Sequence, residues 1–263
     1  MSARTLRGLL VSVRNAAEAA EAVAGGAGVI DVKEPLGGPL GAAEPEAIVA
    51  VAAVVADRLP WTMACGELAA GEDRVIARLR SVLETLPAIA VPPAAIKVGL
   101  AGLRGDRWAD RLATLASRCP AGIGHVAVAY ADWERAGAPD PFAVIGVARA
   151  AGCGTVLIDT FDKAGPGLLA AVPRGRLADW ITEARRCGLA VALAGRVGLR
   201  ELAEVAALGP EVVALRSAVC FNGRSGVVQR GLVRDAANAL TAATRPGRSS
   251  PHHPAAPLEN QTP

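Results

Sequence analysis

Lysine is the residue this chain nearly does without. Only Lys33, Lys97 and Lys163 occur in 263 residues, against 25 arginines. Arginine has displaced lysine wherever a mere surface charge is wanted. A lysine that remains is a candidate for work arginine cannot do, namely losing its proton and attacking a carbonyl; a pKa above about 12 closes that chemistry to arginine. Histidine is scarce as well: His125 stands alone in the body of the chain, with His252 and His253 near its end. The five cysteines, Cys65, Cys119, Cys153, Cys187 and Cys220, form no C-x-x-C pair and are odd in number. Both facts argue against a zinc site or a disulfide framework and fit reduced thiols. No metal and no cofactor are expected. Aromatics make up 3%, the net charge is +3 and the basic residues are scattered. There is then neither a stacking platform nor a basic patch, and nucleic acid is an unsuitable partner. The apolar run near the N-terminus, 9–13, is far too short for a signal peptide core or a membrane span. The expected location is cytoplasmic, with no membrane contact.

What the chain does have is a large apolar inventory. Hydrophobic residues make up 52% and charged residues 20%, a globular composition whose core must be built from Ala, Val, Leu and Ile. Short β-branched runs alternate with longer Ala/Leu/Arg segments. Strands are expected at 9–13, 28–33, 61–66, 95–99, 125–130, 155–159, 190–194 and 212–216. Helical patterns fall between them, with a last one at 227–244. Strands that alternate with helices pair in parallel. Eight such units favour a closed (β/α)8 TIM barrel, an α/β fold, over an open doubly wound sheet of five or six strands. No G-x-G-x-x-G follows the first strand, which argues against a dinucleotide fold. The reading is a single catalytic domain over 1–244. A Pro/Ser/His-rich segment at 245–263 is expected to be a disordered tail.

Catalytic groups of such barrels sit at the C-terminal ends of the strands. Lys33 closes the second strand in VIDVKEP, Lys97 lies in the fourth in AIKVGL, and Lys163 follows the sixth in LIDTFDKAG. Strands two, four and six contribute to the same layer of the barrel interior, so the whole lysine inventory can converge on one mouth. Asp31, two residues before Lys33, points to the same face of its strand, and Asp159 ends the sixth strand. Charges placed there are costly unless they pair or work. A buried ion pair that only holds the fold is the alternative reading of Asp31 and Lys33, and plain surface charge that of Lys163. Gathering lysines lowers the pKa of one of them, by burial and by neighbouring cations. A neutral amine can then form an imine, which acidifies the adjacent C–H, and the aspartates are suited to shuttle protons. A second constellation follows strands seven and eight: Gly195 and Arg196, then Arg216, Ser217 and Ala218. Barrels often bind phosphate there. Three weaker candidates are His125, a core residue by position; Asp132, a turn or capping residue; and Glu67, which could line the mouth. The glycine-rich stretch 37–41 lacks a P-loop ending and is expected to be a mobile substrate loop.

In this order and at these strand ends, LLVSV, GGAGVIDVKEPLGGPLGA, IKVGL, LIDTFDKAG, LAVALAG and RSAVC resemble the (5-formylfuran-3-yl)methyl phosphate synthase family over about residues 8–240. The stretch 31–42 is the most specific part. The resemblance implies a barrel that condenses two molecules of glyceraldehyde 3-phosphate, with loss of phosphate and water, and without metal or organic cofactor. By motif, Lys33 is implied as the Schiff-base lysine and Lys97 as the proton acceptor. Asp31, Asp159 and Lys163 are implied as supporting groups. Two departures stand out: Glu34 where the motif commonly has Asn, and Arg216-Ser217 where it has Arg-Gly. A class I aldolase acting on another phosphorylated sugar would use the same lysines, and a non-catalytic ligand-sensing barrel would only bind. A small-molecule partner, a triose phosphate, is expected, and a homo-oligomer stays open.

Overall fold

Eight of the apolar runs form eight short parallel strands, and the computed structural model closes them into one barrel in sequence order. It describes residues 5–105 and 107–244; the segment 245–263, expected to be a tail, lies outside them. The strands are β1 (Gly8–Val13), β2 (Val29–Val32), β3 (Trp61–Glu67), β4 (Ala95–Gly99), β5 (Gly124–Tyr130), β6 (Thr155–Asp159), β7 (Ala190–Leu193) and β8 (Val212–Leu215). The ring closes where β1 pairs with β8, Leu10 opposite Ala214. The helices are α1 (Ala16–Ala24), α2 (Pro45–Val55), α3 (Glu72–Thr85), α4 (Trp108–Arg118), α5 (Trp133–Ala136), α6 (Pro141–Ala148), α7 (Leu168–Ala171), α8 (Arg174–Arg186), α9 (Leu202–Ala207) and α10 (Arg230–Thr244).

Local chemistry sets the helix starts. Asn15 caps α1 by accepting from the Glu18 amide at 3.0 Å, and Asp140 caps α6 by accepting from Phe142 at 2.8 Å. Pro45 and Pro141 occupy first-turn positions, where a missing N–H costs nothing. The low aromatic content is explained inside the barrel. Ala64, Ala95, Ala192 and Ala194 share the interior with Leu10, Val126, Val128, Leu157 and Tyr130. A larger apolar layer, including Trp61, Ile48, Leu79 and Trp180, seals helices against strands.

One expected element is divided. The pattern at 227–244 reads as one helix, but Val227 and Val228 form a strand, β10, antiparallel to β9 (Cys220–Phe221). Gly223 turns the chain at φ +75°. A side chain at Gly226 would collide with the carbonyl of Phe221. The result is a small hairpin over the C-terminal mouth, and the last helix starts only at Arg230. Among the described residues, no helix is long and apolar enough to cross a membrane.

Candidate active site

The register of the first three strands builds the floor of the site. Ser12 of β1 stands opposite Asp31 of β2, and Asp31 opposite Thr62 of β3. Both hydroxyls donate to the Asp31 carboxylate, Ser12 Oγ at 3.0 Å and Thr62 Oγ1 at 2.7 Å. Lys97 reaches across from β4 and places Nζ 2.6 Å from Asp31 Oδ2. All four side chains are buried. This floor draws on the consecutive strands β1 to β4 instead of on alternate strands alone, while Lys33, Lys97, Asp159 and Lys163 line one pocket. Lys97 rather than Lys33 pairs with Asp31, however, although Asp31 and Lys33 share a strand face. Lys33 sits one step higher, just past the end of β2.

Asp159 closes β6. It accepts from the Thr160 amide at 2.8 Å and from Lys163 Nζ at 2.6 Å. Burial opposes its charge, but Lys163 and Lys33 outweigh burial and hold the carboxyl below the usual carboxylate range. The loop carrying Lys163 is fixed by Asp132, whose carboxylate accepts from the Phe161 and Asp162 amides at 2.6 and 2.8 Å. Asp132 is therefore a turn clamp.

Lys33 is the odd member. It is buried, with 7% exposure, and its Nζ donates to the Pro39 carbonyl at 3.4 Å. Among the described residues no carboxylate lies within ion-pair distance of it, because Asp31 and Asp159 are each taken by another lysine. Burial, reinforced by Lys97 and Lys163, outweighs the attraction of Asp159 and Asp31 and lowers the Lys33 pKa from 10.5 to about 7. An amine so placed is about half neutral at physiological pH.

The loop above Lys33 is tightly made. Glu34 and Gly41 are joined by a 2.8 Å backbone hydrogen bond, and Glu34 accepts from the Leu36 amide at 2.9 Å. A side chain at Gly41 would strike the Glu34 carbonyl and the Gly37 backbone. Glu34, the departure noted in the sequence, therefore caps its own turn.

Around the other side of the mouth lie the residues chosen as phosphate ligands. Gly195, Arg196 and Ser217 line the central pocket together with Lys33, Lys97, Asp159 and Lys163, and Ala218 joins Arg196 and Ser217 in the adjoining recess. Gly195 has φ +106° and packs against the Thr160 backbone, where a side chain would crowd. Arg196 is exposed and donates to the Gly165 carbonyl. Arg216 departs from the expectation. It borders the pocket, but its buried guanidinium is turned onto Glu18 of α1 and onto the carbonyls of Ser12 (3.0 Å), Arg224 (3.1 Å) and Gly226 (2.7 Å). Its donors are occupied, so it anchors structure and is not free for an anion.

Glu67 also turns away from the lysines, accepting from Tyr130 Oη at 2.6 Å and the Ala101 amide at 2.9 Å. Burial raises its pKa. His125 lies at the opposite, N-terminal end of the barrel; its buried Nε2 has no hydrogen-bond partner among the described residues. Two residues escaped the sequence reading. Glu18 had a legible signal, since it shares a helix face with the buried Ala22. Arg224, on the hairpin, had none among 25 arginines. Among the described residues no cluster of three or more metal-ligating side chains occurs.

The 4-HFC-P synthase family model matches residues 9–237. The chain is 35% identical over 238 residues to the (5-formylfuran-3-yl)methyl phosphate synthase of Methanopyrus kandleri, covering 88% of this chain and 98% of that protein. It is 34% identical over 233 residues to that of Methanocaldococcus jannaschii, covering 86% and 97%. Among solved structures, the 3-hexulose-6-phosphate synthase of Salmonella typhimurium superposes with a TM-score of 0.63 at 16% identity, covering 90% of this chain and 99% of that one; at that identity the likeness concerns the fold alone. On the match of motifs, length and barrel, the chain belongs to the 4-HFC-P synthase family.

Proposed function

We propose that this enzyme forms (5-formylfuran-3-yl)methyl phosphate from two molecules of glyceraldehyde 3-phosphate through an imine on Lys33. The observation that carries this reading is the one buried lysine without a carboxylate partner among the described residues, set between two lysines that have one. A neutral Lys33 amine attacks the aldehyde of the first triose phosphate, and water leaves. The iminium acidifies the C2–H. Lys97 passes its proton to the neighbouring Asp31 carboxylate and, as the free amine, accepts the C2 proton. The resulting enamine expels the C3 phosphate of the same molecule. The freed C3, now an enol terminus, bonds to C2 of the second triose, whose carbonyl has moved from C1 to C2 by enolisation. Oxygen on C1 of the second triose closes the ring. Release from Lys33 by water restores the aldehyde. The two trioses together lose one phosphate and two waters, and the product keeps the second phosphate. The Lys163 ammonium, steadied by the Asp159 carboxylate, would protonate departing oxygens. The backbone at Gly195 and the loop at Ser217 would receive phosphate, with the Arg196 charge beside them.

The test is incubation with glyceraldehyde 3-phosphate alone, followed by mass and ultraviolet analysis. The furan aldehyde, which absorbs by conjugation, is expected; a saturated sugar phosphate would favour an aldolase, and binding without turnover a sensor. Borohydride should add a triose-derived mass at Lys33. Lys33→Arg keeps a charge but should lose both adduct and turnover to background. Trapping should rise with pH through about 7, as the Lys33 ammonium gives up its proton. A wild-type adduct on Lys97 or Lys163 alone would refute the assignment.

A further inference from the structure

The proposed reaction requires two phosphates in one mouth, and the hairpin supplies a cation the reaction has not used. Arg224 projects from the turn between β9 and β10. It borders the central pocket, the recess of the β7 and β8 loops, and a third recess between the loops after β2 and β6. That third recess has three cationic residues. Arg135 is paired with Asp162 at 2.8 Å and Lys163 with Asp159 at 2.6 Å. Arg224 has no carboxylate within ion-pair distance among the described residues; its guanidinium donates to the neutral carbonyls of Gly38 at 2.8 Å and Pro35 at 3.2 Å. It is half-buried, and burial lowers its pKa. A desolvated guanidinium held by neutral carbonyls gains more from an incoming dianion than a paired one does, because its fork matches phosphate geometry and it gives up no ion pair.

We propose that Arg224 binds the phosphate of the second triose phosphate, the one retained in the product, in the recess between the loops after β2 and β6, and so selects a phosphorylated second substrate. This rests on the reaction proposed above. The two phosphates then lie on either side of Lys163. The one that leaves sits toward Ser217 and Arg196, and the one that stays sits toward Gly38 and Arg224. Arg224 reaches that phosphate by exchanging the Gly38 and Pro35 carbonyls for it, and its charge stays where the recess needs it.

Two measurements on the full chain test this. Equilibrium dialysis with labelled inorganic phosphate should show two equivalents bound per wild-type chain and one per Arg224→Gln chain. The amide of that variant keeps a donor for the loop carbonyls while removing the charge. In a mixture of glyceraldehyde 3-phosphate and unphosphorylated glyceraldehyde, product mass reports which molecule served second. The wild type should give mainly the phosphorylated furan, and Arg224→Gln should shift the ratio toward the unphosphorylated one by about tenfold to a hundredfold. If Arg224→Gln does not fold, Arg224→Lys, which keeps the charge but loses the paired donors, should still bind two phosphates, one of them about tenfold more weakly. A wild type that binds only one phosphate, a Gln variant that still binds two, a Lys variant with wild-type affinity at both sites, or a fall in turnover with an unchanged product ratio would each overturn the assignment and leave Arg224 as a strap on the loop. Should the wild type make no furan at all, the reaction reading fails, while the phosphate count still decides the role of Arg224.

Discussion

Two clusters of buried charge meet at the C-terminal mouth, and each has one more cation than anion. In one, Lys33, Lys97 and Lys163 face Asp31 and Asp159. In the other, Arg14 and Arg216 face Glu18. The clusters resolve the surplus in opposite ways. The arginines cannot shed a proton, so the second cluster surrounds them with acceptors: the carbonyls of Ser12, Arg224 and Gly226. Burial opposes the charge of Glu18, yet the hydrogen bonds from Arg216 and Arg14 hold its pKa below the usual range. The lysine cluster gives Lys33 one distant carbonyl instead, and the strain is relieved by deprotonation at about pH 7. The same excess charge therefore yields a rigid joint where the cation is arginine and a nucleophile where it is lysine. The composition already hinted at this division, since one of the three surviving lysines, Lys33, has its pKa brought to about 7.

The division can be broken from either side. The largest effect is expected in the lysine cluster. Lys97→Ala removes the acceptor of the C2 proton and should lower kcat by roughly 10²- to 10⁴-fold, the usual range for a lost general base. Inorganic phosphate should still inhibit it, since the anion loops are untouched. A Lys97→Ala enzyme with near-normal kcat would move the base to Asp159. In the arginine cluster the effect should fall on folding. Arg216→Met leaves Glu18 buried with only half of its partners and should cost about 3–5 kcal/mol of unfolding free energy, read from the urea midpoint. At temperatures where the variant remains folded, its KM for triose phosphate should stay within a few-fold of the wild type. A tenfold rise in KM at intact stability would return Arg216 to the phosphate site.

The smallest effect sharpens the comparison. Lys33 has a folded pKa of about 7 against about 10.4 when unfolded. Between these values the unfolded chain binds the extra proton, so wild-type stability rises with pH across that window; below about 7 both states are protonated and the burden of the buried charge is fully present. Lys33→Met, inactive, should therefore gain on the wild type most at pH 6, and the difference should shrink by about 1–3 kcal/mol toward pH 9. A gap independent of pH would mean that Lys33 is not strained by its surroundings.

How much of this was legible in the chain follows from which distances a sequence encodes. The strand ends were readable, since each β-branched run is bounded by glycine or a helical pattern, and the convergence of Lys33, Lys97 and Lys163 on one pocket followed from their places in or just past strands two, four and six. The pairing was not readable. Spacing within a strand places Asp31 beside Lys33, but a lysine two strands away reaches farther across a barrel than its neighbour can bend back, and Lys97 takes the carboxylate. Arg216 sits where phosphate ligands commonly sit. Its true partner, Glu18, is on the far end of the sequence, joined only when the barrel closes. The 220–228 hairpin was hidden because Val227 and Val228 fit a helix and a strand equally well, and a backbone turn at Gly223 and Gly226 decides between them.

That closure has a consequence for synthesis. Glu18 and Arg216 are separated by 198 positions, and they join the first βα unit to the last across the β1–β8 seam. A chain made from its N-terminus exposes Glu18 early with its local partner Arg14, and adds the second guanidinium, Arg216, only after the eighth strand. Every shorter nascent chain leaves Glu18 with Arg14 alone. Full pairing of the first helix with the last strand therefore waits for the eighth strand to join the ring.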